Sequence, residues 1–158
     1  MPMKRALSAL VLALLLGLAA CAPGVQLAGR PDAAFQGPRL ESDVFVSSDG
    51  TRLPLTRWAP AEGDPRAVII ALHGMNSHAG AFRQAGPYWA RHGILTLAWD
   101  QRGFGRNRAQ HGVWAGEDLL TEDLRVAVTL ARAAYPRATI AVVGVSMGGS
   151  VAIEAFAS

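Results

Sequence analysis

The residues best suited to chemistry in this chain are Gly-Val-Ser-Met-Gly at 144–148, which fit the spacing Gly-x-Ser-x-Gly. An apolar run at 139–143 precedes the motif and small residues follow it, so we expect a turn from a strand into a helix. Such a turn is too tight for side chains at Gly144 and Gly148. It would expose the hydroxyl of Ser146 as a nucleophile; the alternative is a tight turn that carries an idle serine.

A second turn, His-Gly-Met-Asn at 73–76, follows the apolar run at 67–72. A loop in this place supplies one backbone N–H to an oxyanion, and the residue after the nucleophile supplies another. The backbone amides of Met75 and Met147 are therefore the predicted oxyanion-hole donors. We expect His73 and Gly74 to support the loop, and a catalytic-base role for His73 is the less favoured alternative.

Other kinds of site find little support in the sequence. His73 and His78 lack the intervening glutamate of a zinc-protease helix, and a single cysteine excludes a Cys-rich zinc site, so no metal is predicted. No Gly-x-Gly-x-x-Gly spacing marks a nucleotide site at the turn. Lys4 and Arg5 lie in a leader that is predicted to be removed, as described below. Without them the charged residues are 13 scattered arginines against 12 acidic residues, which argues against nucleic acid as a partner. Serine chemistry needs only side chains and amides, so no cofactor is predicted.

Strands are expected before each of these two turns. Residues 44–58 form a predicted hairpin that turns at Asp49 and Gly50, and Pro54 favours an edge position for its second strand. Continuous apolar runs predict buried strands at 67–72, 94–99 and 139–143.

Helices are expected between those strands, at 79–92, from Glu117 to a stop at Pro136, and from Met147 onward. The inward face of the long helix is predicted at Leu120, Leu124, Val128 and Ala131. This alternation indicates an α/β fold: a mostly parallel sheet flanked by helices, with an antiparallel hairpin at its start.

A targeting segment is predicted at residues 1–20. Lys4 and Arg5 precede an apolar run at 6–20, which is shorter than the roughly 20 residues of a transmembrane helix. Leu-Ala-Ala-Cys at 18–21 resembles a bacterial lipobox, so Cys21 is the predicted lipidation site and the membrane a predicted partner. Ordinary cleavage before Pro23 and an uncleaved anchor are the alternatives.

Residues 21–38 are rich in Gly and Pro and are predicted as a tether to a domain at 39–158. The residue after the cysteine is Ala22 rather than Asp, which resembles lipoproteins that are sent to the outer membrane of a Gram-negative cell. The predicted location is therefore the cell envelope, lipid-anchored in the outer membrane and facing the periplasm. The sequence gives no prediction of oligomeric state.

Three motifs together resemble the α/β-hydrolase superfamily, in particular the monoacylglycerol lipase and lysophospholipase-like branch that is also grouped with serine aminopeptidases. They are the turns at 73–76 and 144–149 and Asp-Gln-Arg-Gly-Phe-Gly at 100–105, and the resemblance covers about residue 40 onward. Asn107 stands where relatives commonly have serine, and either side chain can turn the backbone. The resemblance implies a serine hydrolase of carboxylic esters such as monoacylglycerols or lysophospholipids, although amide hydrolysis stays open.

The superfamily triad runs Ser, then Asp or Glu, then His along the chain. No histidine follows Ser146, and Glu154 lies in the helix after the turn rather than at a later strand end. We therefore expect only the N-terminal half of the fold here, with the triad Asp and His in sequence not shown. Two functions stay open: part of a membrane-tethered esterase, or a catalytically inactive lipoprotein fragment, binding module or degraded gene.

Overall fold

A computed structural model describes residues 24–107 and 110–157. The predicted leader at 1–20 and the predicted lipidation site Cys21 lie outside the described residues. Among the residues described, none of the helices combines the length and the apolarity needed to cross a bilayer.

The described residues form six strands: β1 Arg39–Leu40, β2 Val44–Val46, β3 Arg52–Trp58, β4 Ala67–Leu72, β5 Ile94–Trp99 and β6 Thr139–Gly144. They belong to one mixed sheet with the strand order β1-β2-β3-β5-β4-β6. The pairs β1–β2, β2–β3 and β3–β5 are antiparallel, whereas β4 runs parallel to both β5 and β6. The predicted α/β class with an antiparallel hairpin at its start is confirmed.

Helices cover both faces of the sheet. They are a 3-10 helix at Ala79–Phe82, α1 at Ala85–Arg91, α2 at Glu117–Ala134 and α3 at Met147–Ala157. One core cluster joins α2 and α3 to the strands, and a second, smaller cluster lies under the 3-10 helix. The predicted inward face of α2 is confirmed, because all of its members are buried: Leu120, Leu124, Val128 and Ala131.

The helix predicted at 79–92 is in fact two short elements, a 3-10 turn and α1. Pro87 supplies the physical reason. Its ring would clash with the carbonyl four residues earlier, at Arg83, so a helix containing Pro87 accommodates it only within its first turn. The α-helix accordingly begins at Ala85, and the preceding residues form a separate turn.

The prediction that Pro54 marks an edge strand is wrong, because β3 lies between β2 and β5. Pairing of β3 with β5 begins at Leu55, opposite Trp99. The carbonyl of Pro54 accepts the N–H of Asp100, the first residue after β5, at 2.9 Å. The missing N–H of Pro54 therefore falls where β5 has ended, and proline is tolerated inside the sheet.

The described part of the predicted tether is bonded to the domain. Val25 forms a parallel bridge with Trp114, and the backbone N–H of Gln26 donates to the Trp114 carbonyl at 2.8 Å. Farther along, the N–H of Gly29 donates to Asp49 Oδ2 at 2.6 Å. The chain from Val25 to Gly29 thus lies against the domain, while the division into leader, tether and domain stays a prediction.

Candidate active site

Ser146 lies in the turn between β6 and α3 with a φ of 51°, in the left-handed region. A Cβ built on Gly144 would lie 2.4 Å from the carbonyl carbon of Gly148. One built on Gly148 would lie 2.4 Å from the carbonyl oxygen of Leu72, at the end of β4. Only glycine fits either place, so the elbow holds an exposed serine in a strained conformation, which is common at functional sites.

The first turn of α3 leaves one amide unused. The N–H of Gly148 donates to Val145 O at 2.9 Å, and those of Gly149 and Ser150 donate to Ser146 O at 2.8 and 3.1 Å. Among the described residues no hydrogen bond has the backbone N–H of Met147 as its donor. This amide lies at the positive end of the helix dipole, where an anion is stabilised.

The loop at 73–76 lies directly against the elbow. A Cβ built on Gly74 would lie 3.3 Å from Val145 O and 3.4 Å from Ser146 Cβ. Within the described ranges the backbone N–H of Met75 also donates no hydrogen bond. The two amides predicted as oxyanion donors therefore belong to residues beside Ser146, and their role stays a prediction.

His73 is fully buried and both of its ring nitrogens are engaged. Nδ1–H donates to the Gly74 carbonyl at 2.7 Å, and Nε2 accepts the backbone N–H of Gln101 at 2.9 Å. Burial lowers the pKa of His73, which favours the neutral ring that this pair of bonds requires. The side chain thus joins the loop at 73–76 to the loop after β5, and neither nitrogen is available to Ser146.

Asp100 shapes its own loop. Its carboxylate accepts the backbone N–H of Ala79 at 2.8 Å and, through Oδ2, the N–H and Nε of Arg106 at 2.9 Å each. Burial acts to raise the pKa of Asp100, but the Arg106 side chain and the two backbone donors outweigh it and lower that pKa. The amide of Asn107 donates to the carbonyls of Asp100 and Gln101 at 2.7 and 3.0 Å, so it closes the loop.

A buried ion cluster behind this loop was not expected from the sequence. Arg102 contacts Asp49 of the hairpin turn at 2.7 Å and Asp123 of α2 at 2.7 Å. The hydroxyl of Ser47 donates to Asp123 at 2.5 Å. The available signal was Asp123 itself, an acidic residue one position before Leu124 on the buried face of α2.

Burial has opposite outcomes for the two acids of the cluster. For Asp49, burial acts to raise the pKa, but Arg102 and the N–H groups of Gly29 and Thr51 prevail and hold that pKa far below its usual range. For Asp123, burial dominates the bonds from Arg102 and raises the pKa. The cluster ties the loop after β5 to β2–β3 and to α2, so it fixes the loop that braces His73.

Two further findings define the extent of the site. In residues 24–107 and 110–157 the Ser146 hydroxyl makes no hydrogen bond, and no three His, Cys, Asp or Glu side chains are grouped as metal ligands. A cavity of about 450 Å³ is lined by Arg66 and Tyr135, near the starts of β4 and β6. It lies at the opposite end of those strands from Ser146 and does not belong to the site.

A serine on a strained strand-to-helix turn, above a mixed sheet with helices on both faces, defines the class of α/β hydrolases. The family model of the serine aminopeptidase, S33, matches residues 63–158. The chain therefore belongs to this family of hydrolases.

Individual relatives agree with that assignment. The chain is 32% identical over 107 residues to a monoacylglycerol lipase of Mycolicibacterium smegmatis, covering 68% of this chain and 38% of the relative. It is 30% identical over 120 residues to a monoglyceride lipase of Rattus norvegicus, covering 76% of this chain and 39% of the relative. The chain thus spans about two fifths of the length of these curated relatives.

Solved structures share the fold. A thermostable carboxyl esterase from Bacillus coagulans superposes with a TM-score of 0.61 at 22% identity, over 71% of this chain and 38% of the esterase. An α/β serine hydrolase without lid from Xanthomonas campestris gives a TM-score of 0.60 at 21% identity, over 77% of this chain and 59% of its own. At these identities the likeness establishes architecture alone.

Proposed function

We propose that the protein hydrolyses carboxylic esters with Ser146 as its nucleophile, and that its substrates are lipids such as monoacylglycerols or lysophospholipids. The observation that carries the proposal is the left-handed backbone of Ser146, with a φ of 51° at the elbow. A non-glycine residue is held in this region only where its surroundings enforce it. The lipid class is supported by relatives named as monoacylglycerol and monoglyceride lipases.

The chemistry proceeds in two halves. Ser146 Oγ attacks the ester carbonyl carbon while its proton passes to a general base, and the carbonyl oxygen becomes an oxyanion held by the amides of Met75 and Met147. The C–O bond to the alcohol then breaks, and the base returns the proton to the departing alcohol. Water attacks the resulting acyl-serine by the same route, which releases the acid and restores the hydroxyl.

The base and its orienting acid are expected outside the described residues. His73 is unsuited to the task because its Nε2 accepts a hydrogen bond from Gln101 and its Nδ1 donates to Gly74. A histidine supplied by a later part of the fold would take the proton from Ser146. Without that base, activity would fall by several orders of magnitude.

We further propose that lipid on Cys21 anchors the protein in the outer membrane. The support is the Leu-Ala-Ala-Cys run at 18–21 after an apolar leader. More than one acyl chain on the cysteine gives stable anchoring, which a single chain does not. Substitution Cys21→Ser should move the protein from the membrane fraction to the soluble fraction, and unchanged fractionation would contradict the anchor.

Labelling with a fluorophosphonate probe, followed by intact-mass and peptide spectra of the full-length protein, tests the hydrolase proposal. We expect one adduct on Ser146, lost in Ser146→Ala and retained in Ser42→Ala, an exposed serine remote from the elbow. Hydrolysis of a monoacylglycerol should follow the same pattern.

A catalytically inactive binding module is the second candidate. Among the described residues the hydroxyl of Ser146 has no hydrogen-bond partner, which is compatible with both candidates, so labelling and the ester assay separate them. If the wild-type protein takes no label and cleaves no ester, the hydrolase proposal is wrong and the inactive binding module is favoured instead.

A further inference from the structure

Exposed apolar side chains are grouped near the start of the described chain. Nine large hydrophobic residues are exposed within residues 24–107 and 110–157, and four of them lie in two short segments that pair with each other. They are Val25 and Leu27 in the first segment, and Val113 and Trp114 in the second. We call these four residues the apolar patch. Single exposed apolar residues are ordinary, but a grouped set marks a surface that interacts with something.

Backbone contacts hold the two segments of the apolar patch together. Val25 forms a parallel bridge with Trp114, whose carbonyl accepts the backbone N–H of Gln26 at 2.8 Å. The side-chain amide of Gln26 donates to the carbonyl of Val113 at 2.7 Å, and this side chain is buried. Successive side chains of an extended segment point to opposite sides. Because Gln26 points inward, Val25 and Leu27 share the outward side.

The sequence around the apolar patch carries no charge. Residues 22–29 and 112–116 contain no Asp, Glu, Lys or Arg. Removing a charged group from water is costly, so a surface without charges can leave water at little cost. Tryptophan, moreover, is enriched where a membrane meets water, because its ring is apolar and its N–H is polar. The composition of the patch therefore suits a lipid surface.

The position of the apolar patch in the chain also favours a membrane as its partner. Only residues 22–24 separate Val25 from Cys21, the predicted lipidation site, so lipid on Cys21 would bring the patch to the membrane surface. Val25 and Leu27 lie before residues 63–158, which the family model matches. This half of the patch is therefore outside the matched part of the family.

We propose that the apolar patch inserts into the membrane surface and docks the domain there in one orientation. The inference rests on the proposed lipid on Cys21 and adds a second contact to it. An acyl anchor alone leaves the domain free to turn, whereas a docked patch fixes which side of the domain meets the membrane. Burial of a leucine side chain such as that of Leu27 strengthens association by about tenfold or more.

Quenching by brominated lipid tests the contact directly. The full-length protein is incorporated into vesicles of phosphatidylethanolamine and phosphatidylglycerol that also contain phosphatidylcholine brominated on its acyl chains. We expect a quenched component of the tryptophan fluorescence that Trp114→Phe removes, while the other three tryptophans remain. Equal quenching of the wild type and Trp114→Phe would overturn the inference, and a patch covered by a protein or by a later part of the chain would give that result.

A charge placed in the apolar patch tests whether the patch itself makes the contact. Leu27→Glu, at a residue that is 85% exposed, should reduce the quenching of Trp114 at least twofold. Tyr88→Glu, at a residue that is 54% exposed on α1 and outside the patch, is the matched control and should leave the quenching unchanged. Urea unfolding of both variants verifies that they remain folded.

The two variants and the anchor variant give separate answers. If Leu27→Glu and Tyr88→Glu change the quenching equally, the apolar patch is not the docking surface. If Cys21→Ser stays in the membrane fraction, the proposed lipid anchor is wrong, and the quenching experiment still decides whether Trp114 meets lipid. Neither measurement depends on hydrolysis at Ser146, so a failure of the hydrolase proposal is detected independently by fluorophosphonate labelling.

Discussion

Gly144 and Gly148 close the elbow against each other, so that a Cβ built on Gly144 would lie 2.4 Å from the carbonyl carbon of Gly148. The end of β6 and the start of α3 are therefore in contact through bare backbone. Ser146, between them, has little freedom to relax from its left-handed φ of 51°. The turn therefore fixes the position of Ser146, the proposed nucleophile, through the backbone alone.

Gly148→Ala should destabilise the fold severely. The new methyl group would lie 2.4 Å from the carbonyl oxygen of Leu72, which belongs to the central strand β4 and has little room to move. Overpacking of this kind costs about 1–3 kcal/mol or more in unfolding free energy. Urea unfolding measures the loss.

Gly149→Ala is the matched control for that substitution. Its nearest neighbour would be Gly144 O at 3.5 Å, an ordinary contact. Because alanine favours helix by about 1 kcal/mol over glycine, this variant should be at least as stable as the wild type. Equal destabilisation by both substitutions would contradict the close approach at Gly148.

Ser146→Gly should be more stable than Ser146→Ala. A left-handed conformation costs a residue with a Cβ about 1–2 kcal/mol, and glycine adopts it freely. Both variants remove the hydroxyl of the proposed nucleophile, and glycine carries an unfolded-chain entropy penalty of about 0.4–1 kcal/mol relative to alanine. A glycine variant that is more stable despite this penalty would report backbone strain at Ser146, whereas one that is less stable by the full penalty would show that the elbow stores none.

Acid should weaken the fold through His73. Its pKa is lowered by burial, so the unfolded chain binds a proton more readily than the folded one. The contribution of His73 to the unfolding free energy is therefore fully present above the unfolded-state pKa of about 6.5. As the pH falls below that value, the unfolding free energy decreases by up to about 1.4 kcal/mol per pH unit. Urea unfolding between pH 7.5 and 5 measures this slope.

His73→Gln should lower stability at every pH and lose its share of that slope, since the Gln101 N–H loses its ring acceptor. His111→Gln, in an exposed residue, serves as the control for the substitution itself and should leave the unfolding free energy at pH 7.5 unchanged. A slope unaffected by His73→Gln would exclude His73 as its source.

Arg102→Ala should cost about 3–5 kcal/mol, because it leaves the buried carboxylate of Asp123 without its partner. Arg102→Lys retains the charge but not the paired bonds, so an intermediate loss is expected. The exposed pair Arg137–Asp64 provides the comparison, and Arg137→Ala should cost less than about 1 kcal/mol. Thermal or urea unfolding ranks the three variants, and similar losses for Arg102→Ala and Arg137→Ala would refute the importance of burial.

Local pattern was sufficient for most of the fold. Continuous apolar runs located β4 and β5 at their observed bounds, because strands covered on both faces leave few polar positions, of which Thr96 in β5 is one. The inward face of α2 followed from its 3.6-residue period. Proline was harder to interpret: Pro87 divided a predicted helix, and Pro54 lies within the sheet because its neighbour β5 has already ended there.

The sequence pattern did not predict the contacts between residues that are far apart along the chain. The motif at 100–105 contains Arg102, but the partners of this residue, Asp49 and Asp123, lie 53 and 21 residues away in sequence. Similarly, the Gly- and Pro-rich run at 21–38 has no periodicity, yet Gln26 bonds to Val113 across 87 residues. Single contacts of this kind leave no repeat in the sequence.

The bridge between Val25 and Trp114 also limits how far the domain can lie from Cys21. A free run from 21 to 38 could extend about 60 Å, but Cys21 and Val25 are four residues apart, a span of at most about 14 Å. With lipid on Cys21, as proposed, Val25 and the domain surface at Trp114 that it pairs with would be held next to the headgroup layer of the anchoring leaflet. An esterase anchored in this way would act on lipids that reach it by lateral diffusion in that leaflet, and it would encounter few lipids that are dissolved in the periplasm.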